Sequence, residues 1–178
     1  MSQQPLESGQ SDSVPDAKSA EAFLDASLGS VACAAGELVL KTVAMPADAN
    51  AYGDIFGGWL VSQMDLGGAN LAHQCARNRV ATVAIDGMAF LKPVYVGDLV
   101  CCYASILKTG SSSISIKIQV WAHRMRYGTH ELVTEGTFTF VALDELGKPQ
   151  KIDWPRNLLE RQSLVTSMGT DPLLCYKP

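Results

Sequence analysis

Asp65 is the residue of this sequence best placed to do chemistry. It stands inside N-A-Y-G-D-I-F-G-G-W-L-V-S-Q-M-D-L-G-G-A-N-L-A-H-Q-C (residues 50–75), a Gly-rich loop that runs into an apolar stretch of small residues. Read as a helix, the stretch puts Val61, Ser62, Gly68 and Ala69 beside Asp65, with no Lys or Arg three or four positions away. An aspartate is a poor helix-interior residue, and a buried carboxylate needs a partner. Two readings stand open. One is a tightly packed core helix whose acid is satisfied by a neighbouring strand. The other is a functional acid in a site. Gly67 and Gly68 each cost roughly 1 kcal/mol against alanine in a helix interior, so close approach to this backbone is expected.

The start of the same helix offers complementary chemistry. First-turn N–H groups lack intrahelical partners, and Gly57-Gly58 lets another molecule come near them. Such a place suits an anion, or a carbonyl oxygen about to become one. Asp65 lies two turns further on, about 10 Å at 1.5 Å per residue. A substrate or a partner subunit's helix bridges that gap more easily than one chain does. Asp54 reads as a helix cap or loop-shaping residue. His73 falls roughly 80° round the helix from Asp65, a weak basis for a dyad; His123 and His130 bracket a turn and read as solvent-facing. A G-x-S-x-G elbow, a phosphate-binding Walker loop and a dinucleotide fingerprint are all absent from the sequence.

The elements that position these groups follow from periodicity. Glu37–Ala44 reads as a strand ended by Met45-Pro46. The helix is expected over about 58–76, with Trp59, Leu60, Met64, Leu71 and Cys75 on its apolar side and Arg77 and Arg79 beyond its C-terminus. Val80–Phe90 is a strand with a bulge at Gly87. Leu99–Lys108 is apolar on both faces, hence central or at a subunit interface. Ile114, Ile116, Ile118 and Val120 alternate with polar residues, and Leu132–Leu143 is the last long strand. A turn at 144–149 precedes a short amphipathic helix near 157–167. One helix cannot cover both faces of a five-stranded antiparallel sheet. The expected fold is therefore α+β, a curved antiparallel sheet wrapped around one long central helix, the hotdog architecture, with an edge left for self-association.

Composition narrows the class. At 47% apolar and 18% charged residues the chain reads as globular, without an apolar run long enough to span a membrane. Residues 1–30 hold five acids against Lys18, and the remainder balances thirteen of each sign, which leaves no footprint for nucleic acid. The expected organisation is a disordered acidic extension at 1–32 in which 20–28 can form a short helix, a domain at 33–150, and a helical or loose tail at 151–178. Cys33, Cys75, Cys101, Cys102 and Cys175 form no C-x-x-C pair, and no histidine stands at ligand spacing to them. Cys101 and Cys102 should face opposite sides of their strand. Reduced thiols and the lack of a secretory signal point to the cytoplasm.

The stretch M-P-A-D-A-N-A-Y-G-D-I-F-G-G-W-L-V-S-Q-M-D-L-G-G-A closely resembles the signature of hotdog-domain acyl-CoA thioesterases of the bacterial YciA type. The pattern N-x-x-G-x-x-F-G-G-x-L followed by M-D is met by Asn50, Gly53, Phe56, Gly57, Gly58, Leu60, Met64 and Asp65. G-M-A-F-L-K-P-V-Y-V-G-D-L-V-C-C-Y and S-I-S-I-K-I-Q-V-W are similar too, so the resemblance covers about residues 37–150. It implies hydrolysis of acyl-CoA to a free acid and CoA without metal or organic cofactor. It further implies an active site at a dimer interface and assembly as a trimer of dimers. By position, Asp65 would be the catalytic carboxylate, acting as general base or as nucleophile. The Gly58 N–H would polarise the thioester carbonyl, Asn50 would orient water or substrate, and Phe56 and Gly57 would contact the substrate. CoA phosphates would lie at the 107–113 turn, with Lys108, Gly110, Ser111 and Ser112 as donors; some relatives carry a basic residue where this chain has Ser111. Lys92, Arg124 and Arg126 are further phosphate candidates, a solvated charged face being the plainer reading of each. The Val83–Phe90 strand would line the acyl or pantetheine channel. The competing readings are a non-catalytic acyl-CoA-binding module, which loss of Asp65 would favour, and a hotdog hydratase or dehydratase, which needs a positioned histidine.

Overall fold

The computed structural model describes residues 36–125 and 127–154. The expected acidic extension, the helices near 20–28 and 157–167, the tail beyond residue 154 and Arg126 lie outside those residues. Within them the order is β1 (Glu37–Val43), a 3-10 turn (Pro46–Asp48), α1 (Gly57–Ala76), β2 (Arg79–Phe90), β3 (Leu99–Thr109), β4 (Ser113–Arg124) and β5 (Thr129–Leu143). The strands form one antiparallel sheet in the order β1-β3-β4-β5-β2. Thus β3, β4 and β5 are joined by consecutive hairpins, and α1 carries the chain from one sheet edge to the other.

All five strands, edges included, pack against α1. Five strands span about 19 Å at 4.8 Å per spacing, whereas a helix with its side chains is about 10 Å across. Only a sheet curled round the helix brings both edges to it, as expected for the hotdog fold. The core is the meeting of two apolar patterns: Leu60, Met64, Leu71 and Cys75 of α1 against Ile114, Ile116, Ile118, Val120, Phe138 and Phe140. Two close approaches seat the helix. A methyl group on Gly68 would stand 2.6 Å from Ile118 Cδ1 and 2.8 Å from Phe140 Cζ, and one on Gly67 would stand 2.8 Å from Val39 Cγ2. The close approach that these glycines demand is that of the sheet.

Cys102 pairs with core-facing Val120 and Cys101 with Trp121, so the adjacent thiols do face opposite sides. Both are buried, and burial first, then the neighbouring Cys101, pushes the Cys102 thiol up to about 12. Past residue 150 the chain still belongs to the domain. Ile152 is buried, its N–H donates to the Ser111 carbonyl at 2.9 Å, and Trp154 Nε1 donates to the Gly110 carbonyl at 2.8 Å.

Candidate active site

The loop before α1 is built by Asn50. Its side-chain Oδ1 accepts the N–H groups of Tyr52 (2.9 Å) and Asp54 (3.1 Å), while its own N–H donates to the Asp54 carbonyl at 2.7 Å. An Asx side chain mimicking a backbone turn in this way fixes a short loop. Of the two readings of Asp54, helix cap or loop-shaping residue, the cap is not met, and its backbone is bonded to Asn50 within the loop. The N-cap is Phe56, and no side chain hydrogen-bonds there. Asn50 thus spends its oxygen on the loop, and its Nδ2 has no partner among the described residues.

At the helix start the first N–H donors with partners are those of Trp59 and Leu60, both to the Phe56 carbonyl. The N–H groups of Gly57 and Gly58 have none among the described residues. The two glycines differ in surroundings. A methyl on Gly57 would touch the Phe90 ring at 3.2 Å, whereas one on Gly58 would meet nothing within 4 Å. Gly58 therefore faces open space beside an unused donor, the condition an approaching carbonyl oxygen needs.

Asp65 is half-buried on the flank of α1 that faces β2. The Thr82 hydroxyl donates to its Oδ1, and Oδ2 has no partner among the described residues. Thr82 was not singled out by the sequence reading. It pairs in register with Phe140, a core residue, and so points to the helix side. The register then shifts at Val83, the local bend a bulge produces. Its only signal in the sequence is a hydroxyl at an inward position of V-A-T-V-A. Both open readings of Asp65 meet here, for a neighbouring strand supplies one hydrogen bond and leaves one oxygen uncommitted.

The 108–112 turn stands apart from these groups. Thr82 aligns across the sheet with Phe140, Ile114 and Thr109, which sets the turn three strand spacings from Thr82, about 14 Å. The carbonyls of Gly110, Ser111 and Ser112 accept from Trp154, Ile152 and Ala142. Lys108 and Ser111 are exposed.

Arg124 corrects the expectation of a solvated face, whereas Lys92 is exposed as expected. Arg124 is only 8% exposed. It donates from Nη1 to Asp98 (2.6 Å), from Nε to Glu131 (2.8 Å) and from Nη2 to the Pro93 carbonyl (2.9 Å), with the Tyr95 ring 4.8 Å away. Lys92 pairs with Glu131 at 2.8 Å. Hydrogen bonds from Lys92, then from Arg124, hold the Glu131 carboxyl below its ordinary range. His73 bonds the Asn78 carbonyl at the far end of α1 from Gly58, and His123 packs edge-on against His130 across β4 and β5. No three His, Cys, Asp or Glu side chains gather as a metal site among the described residues.

The thioesterase superfamily profile matches residues 52–128. The acyl-CoA thioester hydrolase YciA of Salmonella typhimurium is 57% identical over 120 residues, covering 66% of this chain and 90% of the relative. Among solved structures, the hexameric thioesterase y2039 of Yersinia pestis is 58% identical with a TM-score of 0.65, over 67% of this chain and 98% of that one. An acyl-CoA hydrolase of Staphylococcus aureus, 26% identical with a TM-score of 0.59 over 72% of this chain and 88% of its own, is known with butyryl Coenzyme A. It is also known as an aspartate-to-alanine variant and, separately, as a variant of an asparagine fifteen positions earlier. Identity above one half over nine-tenths of such a relative, on the same fold, places this chain in the YciA group of acyl-CoA thioester hydrolases within the thioesterase superfamily.

Proposed function

We propose that the chain hydrolyses acyl-CoA thioesters to a free carboxylic acid and CoA, with Asp65 as the catalytic carboxylate. The observation that carries the reading is the state of that carboxylate: one oxygen is oriented by Thr82 and the other is uncommitted. A thiolate is a good leaving group, so a carboxylate and a pre-oriented donor suffice, without metal or organic cofactor. Asp65 either takes a proton from water as the water oxygen adds to the carbonyl, or adds to it directly and forms an anhydride that water then opens. In the first route the proton taken by Asp65 passes to sulfur as the C–S bond breaks; in the second CoA leaves as the thiolate and is protonated by the proton released when water opens the anhydride. The Gly58 N–H, with Gly57 beside it, receives the developing oxyanion, and Asn50 Nδ2 faces water or substrate. The interval between Asn50 and Asp65 is the same fifteen positions as in the Staphylococcus aureus variants. Phe56 flanks the entrance, and Lys108, Gly110, Ser111 and Ser112 meet the CoA phosphates. The buried thiols Cys75, Cys101 and Cys102 suit a reducing cytoplasm.

The site draws on two chains. β2 is a sheet edge with Val83 and Ile85 exposed. Antiparallel two-fold pairing of β2 with its copy sets the Thr82 end of one strand beside the Phe90 end of the other. Thr82 holds Asp65, and Phe90 lies against Gly57. The pairing thus brings the acid of one protomer to the helix start of its partner, and three such dimers make a hexamer like that of the Yersinia pestis relative. Thiol release from a panel of short to long acyl-CoAs tests the function. Turnover that disappears in a folded Asp65→Asn variant is expected; no turnover by the wild type, or equal rates in both, would overturn the reading.

A further inference from the structure

We propose that Arg124 is a positioning residue for this hydrolysis, setting the place of the Gly57–Gly58 donors through the 91–98 loop. The inference rests on the thioesterase reading and adds a residue remote in sequence from its motif. The path is continuous. Arg124 Nη2 holds the Pro93 carbonyl at 2.9 Å, and its guanidinium lies 4.8 Å from the centre of the Tyr95 ring. Between those two residues, the Val94 carbonyl accepts the Ile55 N–H at 3.0 Å, and Tyr95 bridges to Asp54. Ile55 directly precedes the N-cap Phe56, and Phe56 precedes the two donors. Val94 and Ile55 are both buried, so the junction is packed as well as hydrogen-bonded.

The rest of the arginine's bonding keeps that path rigid. Asp98 Oδ2 receives Nη1 at 2.6 Å and also the Tyr95 N–H at 3.0 Å, which closes the loop on itself. The loop is fastened to the end of β1 by Ala44 N–H to Asp98 O (3.0 Å) and Gly97 N–H to Ala44 O (2.8 Å). Glu131 takes Nε, anchoring the guanidinium to β5. A planar guanidinium with donors in fixed directions can serve Asp98, Glu131 and Pro93 together. An ammonium is a point charge that cannot reproduce that fork. A methyl on Gly58 would meet nothing within 4 Å, and the Ser62 hydroxyl that donates to the Gly58 carbonyl at 3.0 Å belongs to α1 itself, so the place of this helix start relative to the sheet depends on what holds the loop behind it.

A donor that drifts from the carbonyl weakens transition-state binding more than substrate binding. The test therefore separates kcat from KM. Wild type, Arg124→Lys, Asp98→Asn and, as reference, Asp65→Asn are assayed by thiol release from butyryl-CoA and decanoyl-CoA, with folded protein quantified by circular dichroism and gel filtration. For Arg124→Lys, kcat per folded protomer is expected to fall about 10-fold to 100-fold, the scale of an ångström-sized misplacement, with KM within about threefold. Faster amide exchange at Ile55 and Phe56, whose N–H groups are hydrogen-bonded to Val94 and Asp48, should accompany the loss. Asp98→Asn leaves the arginine in place, so it carries the same test if Arg124→Lys does not fold. Wild-type kcat in either folded variant would overturn the proposal, as would a rise in KM alone. A wild type that turns over nothing would instead sink the thioesterase reading, and an active wild type with inactive Asp65→Asn and fully active Arg124→Lys would sink only the positioning role.

Discussion

Two glycines on one helix should respond in opposite ways to the same substitution. Gly68→Ala drives a methyl to 2.8 Å from Phe140 Cζ and 3.0 Å from Cε2. The Phe140 ring is fully buried and stacked with Phe138, at 6.4 Å between centroids, so it cannot swing aside. Overpacking of this kind costs about 1–3 kcal/mol, and alanine's better helix propensity returns about 1 kcal/mol, leaving a net loss of about 1 kcal/mol. Gly58→Ala meets nothing within 4 Å and its backbone is not left-handed, so the same gain applies without the cost, about 0.4–1 kcal/mol of stabilisation. Urea unfolding followed by the fluorescence of Trp59, Trp121 and Trp154, at one fixed protomer concentration, should place the two variants on opposite sides of the wild type. Activity should reverse the order: Gly58→Ala puts its methyl where the substrate carbonyl is to sit and loses on the order of 100-fold in kcat/KM, while Gly68→Ala keeps near-normal turnover per folded molecule. A Gly58→Ala enzyme that is both stable and fully active would refute the reasoning, because the open space at the helix start would then be unused.

Removing the Thr82 hydroxyl with Thr82→Val should lower kcat by roughly 10-fold while leaving the fold intact if, as proposed, the lost bond orients the catalytic carboxylate; unchanged kcat would make that bond merely structural. The Cys102 thiol, raised to about 12 from 9.0, ties stability to pH with a definite sign. The unfolded thiol ionises first, so its contribution is complete below pH 9 and is lost as pH rises toward 12, by about 1 kcal/mol at pH 10. Denaturant titrations from pH 8 to 10.5 should show this decline, and Cys102→Ala should lack that share of it. Arg124→Met strands Asp98 and frees the 91–98 loop, so an unfolding free energy lower by about 3–5 kcal/mol is expected, against less than 1 kcal/mol for the exposed Lys92→Met.

Much of the architecture was legible because local pattern and tertiary need agree. The alternation from Ile114 to Val120 gave β4, and the small-residue stretch after Phe56 gave α1 with its observed C-terminus. The bulge expected at Gly87 is present, with φ of +61° and a register shift between Asp86 and Ala89. What stayed hidden depends on residues that only the sheet brings together. H-R-M-R-Y-G-T reads as a basic turn, yet the partners of Arg124 are Asp98, 26 positions away, and Glu131 on the facing strand. Thr82 is an ordinary strand threonine until the register places it on the helix side. The motif points to Asn50, Gly58 and Asp65, but it does not reveal that Asn50 Oδ1 is spent on holding its own loop.

The most direct test of a two-chain site is complementation between two inactive variants, Asp65→Asn and Gly58→Asp, the second placing a carboxylate in the oxyanion approach. When the two are unfolded together and co-refolded, a two-fold hybrid carries one doubly damaged site and one with both groups intact. Thiol release from butyryl-CoA should then recover to roughly a quarter of the wild-type rate, as random pairing of the two chains dictates. Persistent inactivity of well-formed hybrids would contradict the account and confine Asp65 and Gly58 to the same chain.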